Sequence, residues 1–198
     1  MVIKVSRVVK LDWDPRRLKM RLFTGIELPE NIREYLYEIE REIGNEFAKI
    51  KWVSKKQIHV TLKFFGDVEE DKLKLVKEAL SNVRFKKFRI SLGNIGWYPN
   101  EDRVNVLYIG VENEKEIFNL HSEIELRLGS LFEKDNRFSV HITLGRVKFV
   151  KDKEKFLEVL KNIKIKNEEF FVNDFSLIKS ELSKDGSRYF LIEKYDLE

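Results

Sequence analysis

Cysteine is absent from the 198-residue chain, and glutamine occurs only once, at Gln57. Without cysteine, the chain has no disulfides, thiolate nucleophiles, iron–sulfur clusters or cysteine-ligated zinc sites. No apolar run approaches the roughly 18 residues that a transmembrane helix needs, and no signal peptide is visible. Scarce glutamine beside abundant Lys and Glu is typical of thermophilic proteins. We therefore expect a globular, cytoplasmic protein of thermophilic type with no membrane partner.

Charge is distributed unevenly along the chain. The formal net charge is +4, but residues 1–19 hold six Lys or Arg and only two Asp, which leaves residues 20–198 neutral. Met20 opens a strand-like segment, MRLFTGIEL. We predict that residues 1–19 are an N-terminal extension and that residues 20–198 form one bilobal domain. Because this domain is neutral, its bulk charge gives no argument for nucleic acid as a partner.

An internal repeat organises the chain. The segment GIE at 25–27 recurs as GVE at 110–112, an offset of 85 residues. The pairs that match at this offset are Ile32 and Ile117, Ile39 and Ile124, Glu40 and Glu125, and Gly44 and Gly129. Apolar residues three or four positions apart follow both segments, as on the buried face of a helix. Each repeat therefore begins as a strand, a turn and an amphipathic helix, and Pro29 and Gly44 bound the first helix.

The order of the remaining elements indicates the fold class. Further helices are predicted at 71–83 and 151–163, and further strands at 57–64, 139–146, 88–98, 170–180 and 188–197. Each repeat, 20–100 and 101–198, then has the order strand–helix–strand–helix–strand. This order predicts an α+β fold of duplicated lobes with pseudo-two-fold symmetry and antiparallel sheets facing a central cleft. Equivalent residues of the two repeats would approach each other across that cleft.

Each repeat carries the same short motif in its second strand, HVTL at 59–62 and HITL at 141–144. Side chains alternate across a strand, so each His and Thr share one face while the apolar residues share the other. If the apolar faces enter the cores of the lobes, two imidazoles and two hydroxyls line the cleft. One neutral His can accept a proton and a protonated one can donate it, while Thr61 and Thr143 can hold phosphate oxygens. The pattern indicates phosphoryl chemistry without a metal or other cofactor.

The histidines also admit a structural role or a metal site. A single His on an amphipathic strand is more often a structural residue, but duplication at equivalent places argues against that role here. Two His with a carboxylate could bind zinc, although Glu27 and Glu112 lie in other strands and no HExxH motif is present. The third histidine, His121, matches the core-facing Leu36 of the first repeat, so we interpret it as structural.

HVTLKFFGDV and HITLGRV resemble the paired motifs of the two-histidine (2H) phosphoesterase superfamily. The branch that they resemble is the archaeal and bacterial RNA 2′,3′-cyclic phosphodiesterases, historically called 2′-5′ RNA ligases. MRLFTGIELPENIREYL and FSLIKSELSKDGSRYFLI are similar to this branch as well, so the resemblance spans about residues 20–197. It implies hydrolysis of a terminal ribose 2′,3′-cyclic phosphate to a 2′-phosphomonoester. It also implies that His59 donates a proton to the leaving O3′ and that His141 accepts one from water, roles that a near-symmetric site can exchange.

Four further residues are candidates for substrate binding. Arg146 stands where the family often has Arg, yet strict alternation places it opposite Thr143 unless the strand bends at Gly145, which glycine permits. Phe23 and Tyr98 are candidates for stacking on bases, with ordinary packing as the alternative. Lys63 is a candidate for guiding the RNA backbone, with a solvated surface charge as the alternative.

Three functions remain open from the sequence. The first is the cyclic phosphodiesterase; the second is a 2′-5′ RNA ligase, which uses the same groups with a ribose hydroxyl as attacker. The third is a non-catalytic module that binds RNA ends. The expected partner is RNA that ends in a 2′,3′-cyclic phosphate, with tRNA fragments among the RNAs that would fit, and we expect a monomer.

Overall fold

The structure, a computed structural model, describes residues 19–183 and 186–198, so the predicted extension lies outside the described residues except for Lys19. The described strands are β1 Lys19–Glu27, β2 Ala48–Trp52, β3 His59–Glu69, β4 Phe88–Asn100, β5 Arg103–Glu112, β6 Ile142–Val150, β7 Glu169–Val172, β8 Asp174–Ser183 and β9 Gly186–Asp196. The described helices are α1 Glu30–Ile43, α2 Glu70–Ser81, α3 Glu114–Leu128 and α4 Lys153–Asn162, with a 3-10 turn at Lys55–Gln57. No helix among them is long and apolar enough to cross a membrane.

The first helix begins and ends where its sequence signals predict. It follows Pro29, which has no N–H to leave unpaired, and it ends at Gly44. Gly44 has a φ of 64°, a conformation that favours glycine, and its N–H donates to the carbonyl of Glu40. The matching Gly129 has a φ of −58° and continues the helical conformation, so the two repeats end their first helices differently.

The strands form a nine-stranded antiparallel sheet in the order β7-β4-β5-β6-β3-β1-β8-β9, with β2 paired to β6. The repeat-equivalent pairs β5-β6 and β1-β3 stand on either side of its middle. There, β6 and β3 are joined by one residue pair, Ile142 and Val60. The sheet therefore consists of two lobes that meet at the strands carrying the HxT motifs. This confirms the predicted α+β fold with two duplicated lobes.

Each lobe takes strands from both halves of the sequence. β4 belongs to the first repeat, yet it pairs with β5 and β7. β8 belongs to the second repeat, yet it pairs with β1 and β9. Because only residues 101–102 separate β4 from β5, these two strands form a hairpin. The division at residue 100 thus describes the sequence repeat, whereas the sheet exchanges two strands in each direction: β2 and β4 pair with β6 and β5, and β8 and β9 join β1.

The apolar faces of the helices and strands form the core on one side of the sheet. Fully buried residues include Leu36 of α1 and Leu120 of α3, both 0% exposed. Each HxT strand contributes two apolar residues to this core: Val60 and Leu62, and Ile142 and Leu144, all 0% exposed. Truncation of such residues to alanine typically costs about 2–5 kcal/mol. The His and Thr side chains therefore face away from the core.

Candidate active site

The two HxT motifs come together at the junction of the lobes. His59 is the first residue of β3, and His141 immediately precedes β6. The residues that follow them, Val60 and Ile142, form the one pair that joins these strands. All four polar motif residues are half-buried, and the two imidazoles are close enough for the charge of His141 to lower the pKa of His59. The structure thus places both imidazoles at one site.

Both imidazole rings are held in the same way. Nδ1 of His59 lies 2.7 Å from the carbonyl oxygen of Gln57, and Nδ1 of His141 lies 3.2 Å from that of Ser139. A carbonyl oxygen only accepts hydrogen bonds, so Nδ1 carries the proton in both rings. Nε2 is then the atom that can accept or donate a proton, and in His59 it lies 2.9 Å from Oγ1 of Thr61. The carbonyl that fixes each tautomer comes from the residue two positions before the histidine.

The surroundings disfavour the charged form of both histidines. Burial lowers the pKa of His59 from its ordinary value, and the charge of His141 lowers it further, against the Gln57 carbonyl, which raises it. Burial also lowers the pKa of His141, the Ser139 carbonyl raises it, and the guanidinium of Arg146 lowers it. Both rings are therefore mainly neutral at neutral pH in the free protein. A bound phosphate anion would favour protonation of either one.

Aromatic rings surround His59. The ring centroid of Phe23 lies 5.0 Å from that of His59, and Tyr189 lies 5.4 Å from His59 and 5.0 Å from Phe23. A Cβ on Gly25 would stand 3.1 Å from Cδ2 of His59 and 2.9 Å from the carbonyl oxygen of Val60. Glycine at position 25 therefore gives the imidazole its room. This explains one of the glycines of the repeated GIE and GVE segments.

Phe23 packs within the protein, which is the alternative that the sequence left open beside stacking on a base. It is 1% exposed, because the rings of His59, Phe64 and Tyr189 cover it. Its ring packs against the imidazole of His59. Phe64, which is 66% exposed and 5.7 Å from Phe23, offers a free aromatic face instead.

A second aromatic pair flanks His141. Tyr98 and Tyr108 stack at 4.5 Å, and each lies 5.6 Å from His141. A Cβ on Gly96 would collide with the Tyr108 ring, so the strand needs glycine there. Tyr98 remains 38% exposed and available to a ligand. The sequence did not predict Tyr108 as a site residue although it is the repeat equivalent of Phe23, whereas Tyr189 lies in β9 and carries no repeat signal.

Arg146 turns to the cleft at a bulge in β6. In the pairing of β5 with β6, Tyr108 stands opposite Thr143 and Leu107 opposite Gly145, so Leu144 is skipped. The predicted bend beside Gly145 is therefore present. Burial lowers the pKa of His141 and the guanidinium of Arg146 lowers it further, whereas burial raises the pKa of Tyr189 and Arg146 opposes that rise. Arg146 thus lies beside the histidine of one lobe and the tyrosine of the other.

Lys63 lies outside the cleft, which corrects its predicted role. β3 has the equivalent bulge, since Thr24 stands opposite Lys63 and Gly25 opposite Thr61. The bulge turns Lys63 toward the helices, where it is 3% exposed. Its Nζ lies 2.5 Å from Oε1 of Glu125 and 3.0 Å from the carbonyl oxygen of Glu133. Lys63 is therefore held in a buried ion pair and does not guide RNA.

His121 has the structural position that its repeat partner predicts. It is 6% exposed, its ring stacks at 3.8 Å on Phe138, and its Nδ1 donates to the carbonyl of Leu62 at 3.0 Å. Within residues 19–183 and 186–198, no group of three or more His, Asp or Glu side chains is arranged to hold a metal ion.

A duplicated α+β fold with one HxT motif from each repeat at the junction defines a two-histidine phosphoesterase architecture. The family description "LigT like Phosphoesterase" matches the chain twice, over residues 26–108 and 109–189, once for each repeat. The chain therefore belongs to the LigT-like phosphoesterase family, a two-histidine family.

Relatives named RNA 2′,3′-cyclic phosphodiesterase match nearly the whole chain. The one from Methanocaldococcus jannaschii is 33% identical over 178 residues, which is 89% of this chain and 100% of the relative. The one from Archaeoglobus fulgidus is 35% identical over 175 residues, which is 86% of this chain and 96% of that relative. The crystal structure of TT0787 of Thermus thermophilus has a TM-score of 0.74 at 29% identity, covering 89% of this chain and 97% of that one. E. coli LigT complexed with phosphate shares the fold, with a TM-score of 0.69 at 22% identity, covering 90% of this chain and 98% of that one.

Proposed function

We propose that the chain hydrolyses the terminal 2′,3′-cyclic phosphate of RNA to a 2′-phosphomonoester, without a metal, using His59 and His141 as general acid and base. The observation that carries the proposal is the shared geometry of the two rings. In each ring, Nδ1 is held by a backbone carbonyl. The residues that follow the two histidines, Val60 and Ile142, form the pair that joins the lobes. The relatives named for this reaction support it.

The proposed reaction assigns a proton transfer to each ring. Nε2 of His141 accepts a proton from a water molecule, whose oxygen forms the new bond to phosphorus. The bond from phosphorus to O3′ breaks, and Nε2 of His59 donates its proton to O3′. The phosphate remains on O2′ as a monoester. Arg146 supports this assignment, because its charge adds to the burial that lowers the pKa of His141 and so favours the neutral ring that can accept a proton.

The charge that develops on the phosphoryl oxygens needs donors. Thr61 and Thr143 share the cleft face with the histidines, and their hydroxyls can donate to these oxygens. Arg146 can neutralise the charge and donate more than one hydrogen bond. Such preorganised donors are often the largest contribution to catalysis. Tyr98 is the proposed partner for a base, because its ring lies beside His141 and is exposed.

The test is incubation with an RNA oligonucleotide ending in a 2′,3′-cyclic phosphate, in the presence of EDTA. We expect turnover to persist and the product to carry a 2′-phosphate. A 3′-phosphate product, or turnover that stops with EDTA and returns with a divalent ion, would contradict the proposal. A second sample with a 5′-hydroxyl RNA acceptor decides between hydrolysis and 2′-5′ joining. RNA binding without turnover would indicate the non-catalytic module.

We further propose that the enzyme acts as a monomer in the cytoplasm, on RNA fragments such as those of tRNA. The absence of cysteine supports a reducing compartment such as the cytoplasm, and the relatives named RNA 2′,3′-cyclic phosphodiesterase support an RNA substrate. Light scattering of the purified protein tests the monomer, with a mass near 23.7 kDa as the expected result.

A further inference from the structure

Two cations stand side by side on the cleft face of adjacent strands. In the pairing of β2 with β6, Lys51 lies directly opposite Arg146. Cross-strand partners project on the same face of a sheet, with Cβ atoms about 4.5–5.5 Å apart. Since the charge of Arg146 acts on His141 and Tyr189, this face is the one that bounds the active site.

The neighbours of Lys51 confirm its direction. A Cβ on Gly145 would stand 2.8 Å from Ile50 and 2.9 Å from Trp52, so these two side chains pack on the opposite face. Lys51 lies between them in the strand and therefore projects toward the cleft. Its Nζ reaches the β8–β9 hairpin, 3.3 Å from where a Cβ on Gly186 would stand. That hairpin carries Tyr189, and Gln57 holds it through a 2.7 Å hydrogen bond to the carbonyl of Ser187.

Neither cation is neutralised within the described residues. Lys55, four residues after Lys51, pairs with Glu30 and Glu34, and Lys63 pairs with Glu125. Lys51 and Arg146 form no such ion pair with a carboxylate in the described ranges. Like charges directly opposite each other in a sheet are destabilising. An uncompensated pair of this kind, at the edge of a site for a phosphate, fits a ligand with more than one negative charge.

We propose that Lys51 and Arg146 bind two successive phosphates of one RNA strand. Arg146 binds the terminal cyclic phosphate, and Lys51 binds the phosphodiester on its 5′ side. The inference rests on the proposed function and extends it to the class of substrate. A mononucleotide cyclic phosphate has no second phosphate, so Lys51 improves the reaction of oligonucleotides only. The enzyme is then selective for RNA ends over free cyclic nucleotides.

The test compares Lys51→Ala with the wild type on two substrates, an RNA oligonucleotide ending in a 2′,3′-cyclic phosphate and a cyclic mononucleotide. Because one exposed phosphate contact contributes only modestly to binding, we expect the ratio of kcat/KM for the oligonucleotide to that for the mononucleotide to fall about fivefold to tenfold, mainly through KM. The salt dependence of oligonucleotide binding should weaken by about one counterion. Lys51→Arg should keep most of the ratio.

Lys164→Ala is the matched control, because Lys164 is an exposed lysine in the segment between α4 and β7. It should leave the ratio at the wild-type value. A ratio that Lys51→Ala leaves unchanged, or that Lys164→Ala lowers equally, overturns the proposal. Affinity for a labelled oligonucleotide ending in a 2′-phosphate is measured as well. Loss of this affinity in Lys51→Ala supports the role of Lys51 independently of turnover. If the wild type turns over neither substrate, the proposed function fails, and the affinity measurement still decides the role of Lys51.

Discussion

At the residue scale, the site depends on two histidines whose burial favours the neutral form of the ring. Burial is the main influence on both, and it lowers the pKa of each. The carbonyls of Gln57 and Ser139 oppose it, because each accepts the Nδ1 proton. Both rings are therefore mostly neutral in the free protein near neutral pH. The proton acceptor needs this neutral form, whereas the proton donor needs the protonated form, which is the less populated one.

The pH profile of kcat/KM tests this electrostatic account. The rate needs one neutral and one protonated ring, so kcat/KM falls as pH drops through the lower pKa and as it rises through the higher one. Both values lie below the ordinary value of 6.5. We therefore expect a bell-shaped profile with its maximum on the acidic side of about 6.5. A maximum well above neutral pH would show that at least one pKa is raised in the free enzyme.

The residues of the site were predictable only where the local sequence pattern determines the face of the strand on which a side chain lies. Alternation along a strand is enough to place His59 and Thr61 on the face opposite Val60. The local sequence could not decide between stacking and packing for Phe23, and the role predicted for Lys63 was wrong. Phe23 is covered by rings from other strands, and Lys63 follows a bulge that the pairing with β1 imposes.

At the scale of the elements, the buried group behind β3 couples the strand to α3. Lys63 pairs with Glu125, whose Oε1 also accepts from the backbone N–H of Asp135 at 3.3 Å. His121, one turn before Glu125 on the same helix, donates to the Leu62 carbonyl. These contacts meet the bulged part of the strand that carries His59. The group therefore fixes the strand, although none of its members touches the cleft.

Lys63→Ala should lower the free energy of unfolding by roughly 3–5 kcal/mol, because it leaves the Glu125 carboxylate buried without its lysine partner. The double variant Lys63→Met with Glu125→Leu should recover most of that loss. Urea unfolding followed by circular dichroism measures both. Lys55→Ala is the control, since its partners Glu30 and Glu34 are largely exposed and such pairs contribute about 1 kcal/mol or less. Wild-type stability of Lys63→Ala combined with weaker RNA binding would restore the role that the sequence first predicted.

The elements themselves were predicted best where a helix has clear end signals. Pro29 and Gly44 predict α1 to within one residue at each end. β2 was missed, because five residues between a helix and the HxT strand give too short a pattern. The consequence was functional as well as structural, since β2 carries Lys51.

At the scale of the whole molecule, duplication explains both the symmetry of the site and its departures from symmetry. Gly145 occupies in β6 the place that Lys63 occupies in β3, so the second repeat has no lysine behind its bulge. Glu40, the repeat equivalent of Glu125, is 3% exposed, and its Oε1 has no hydrogen-bond partner among the described residues. Burial raises the pKa of Glu40 to about 8. One repeat has thus kept a buried ion pair where the other holds a neutral carboxyl group.

The repeat predicted the two lobes and the meeting of the motifs, but it did not predict which strands form each lobe. β8 joins β1 across most of the sequence, and the partners of a strand that distant are not encoded in any local pattern. The exchange has a functional result. It brings β9, and with it Tyr189, to the ring of His59.

The central claim is that His59 and His141 act on one phosphorus atom, and a double-mutant cycle tests it most directly. Single-turnover rates are measured for His59→Ala, His141→Ala and the double variant, on RNA ending in a 2′,3′-cyclic phosphate. Each single change should slow the reaction about 10²–10⁴-fold. The double change should cost little more than either alone, because residues that act as a unit are not additive. Losses that multiply in the double variant, or a single variant that keeps the wild-type rate, would contradict the claim.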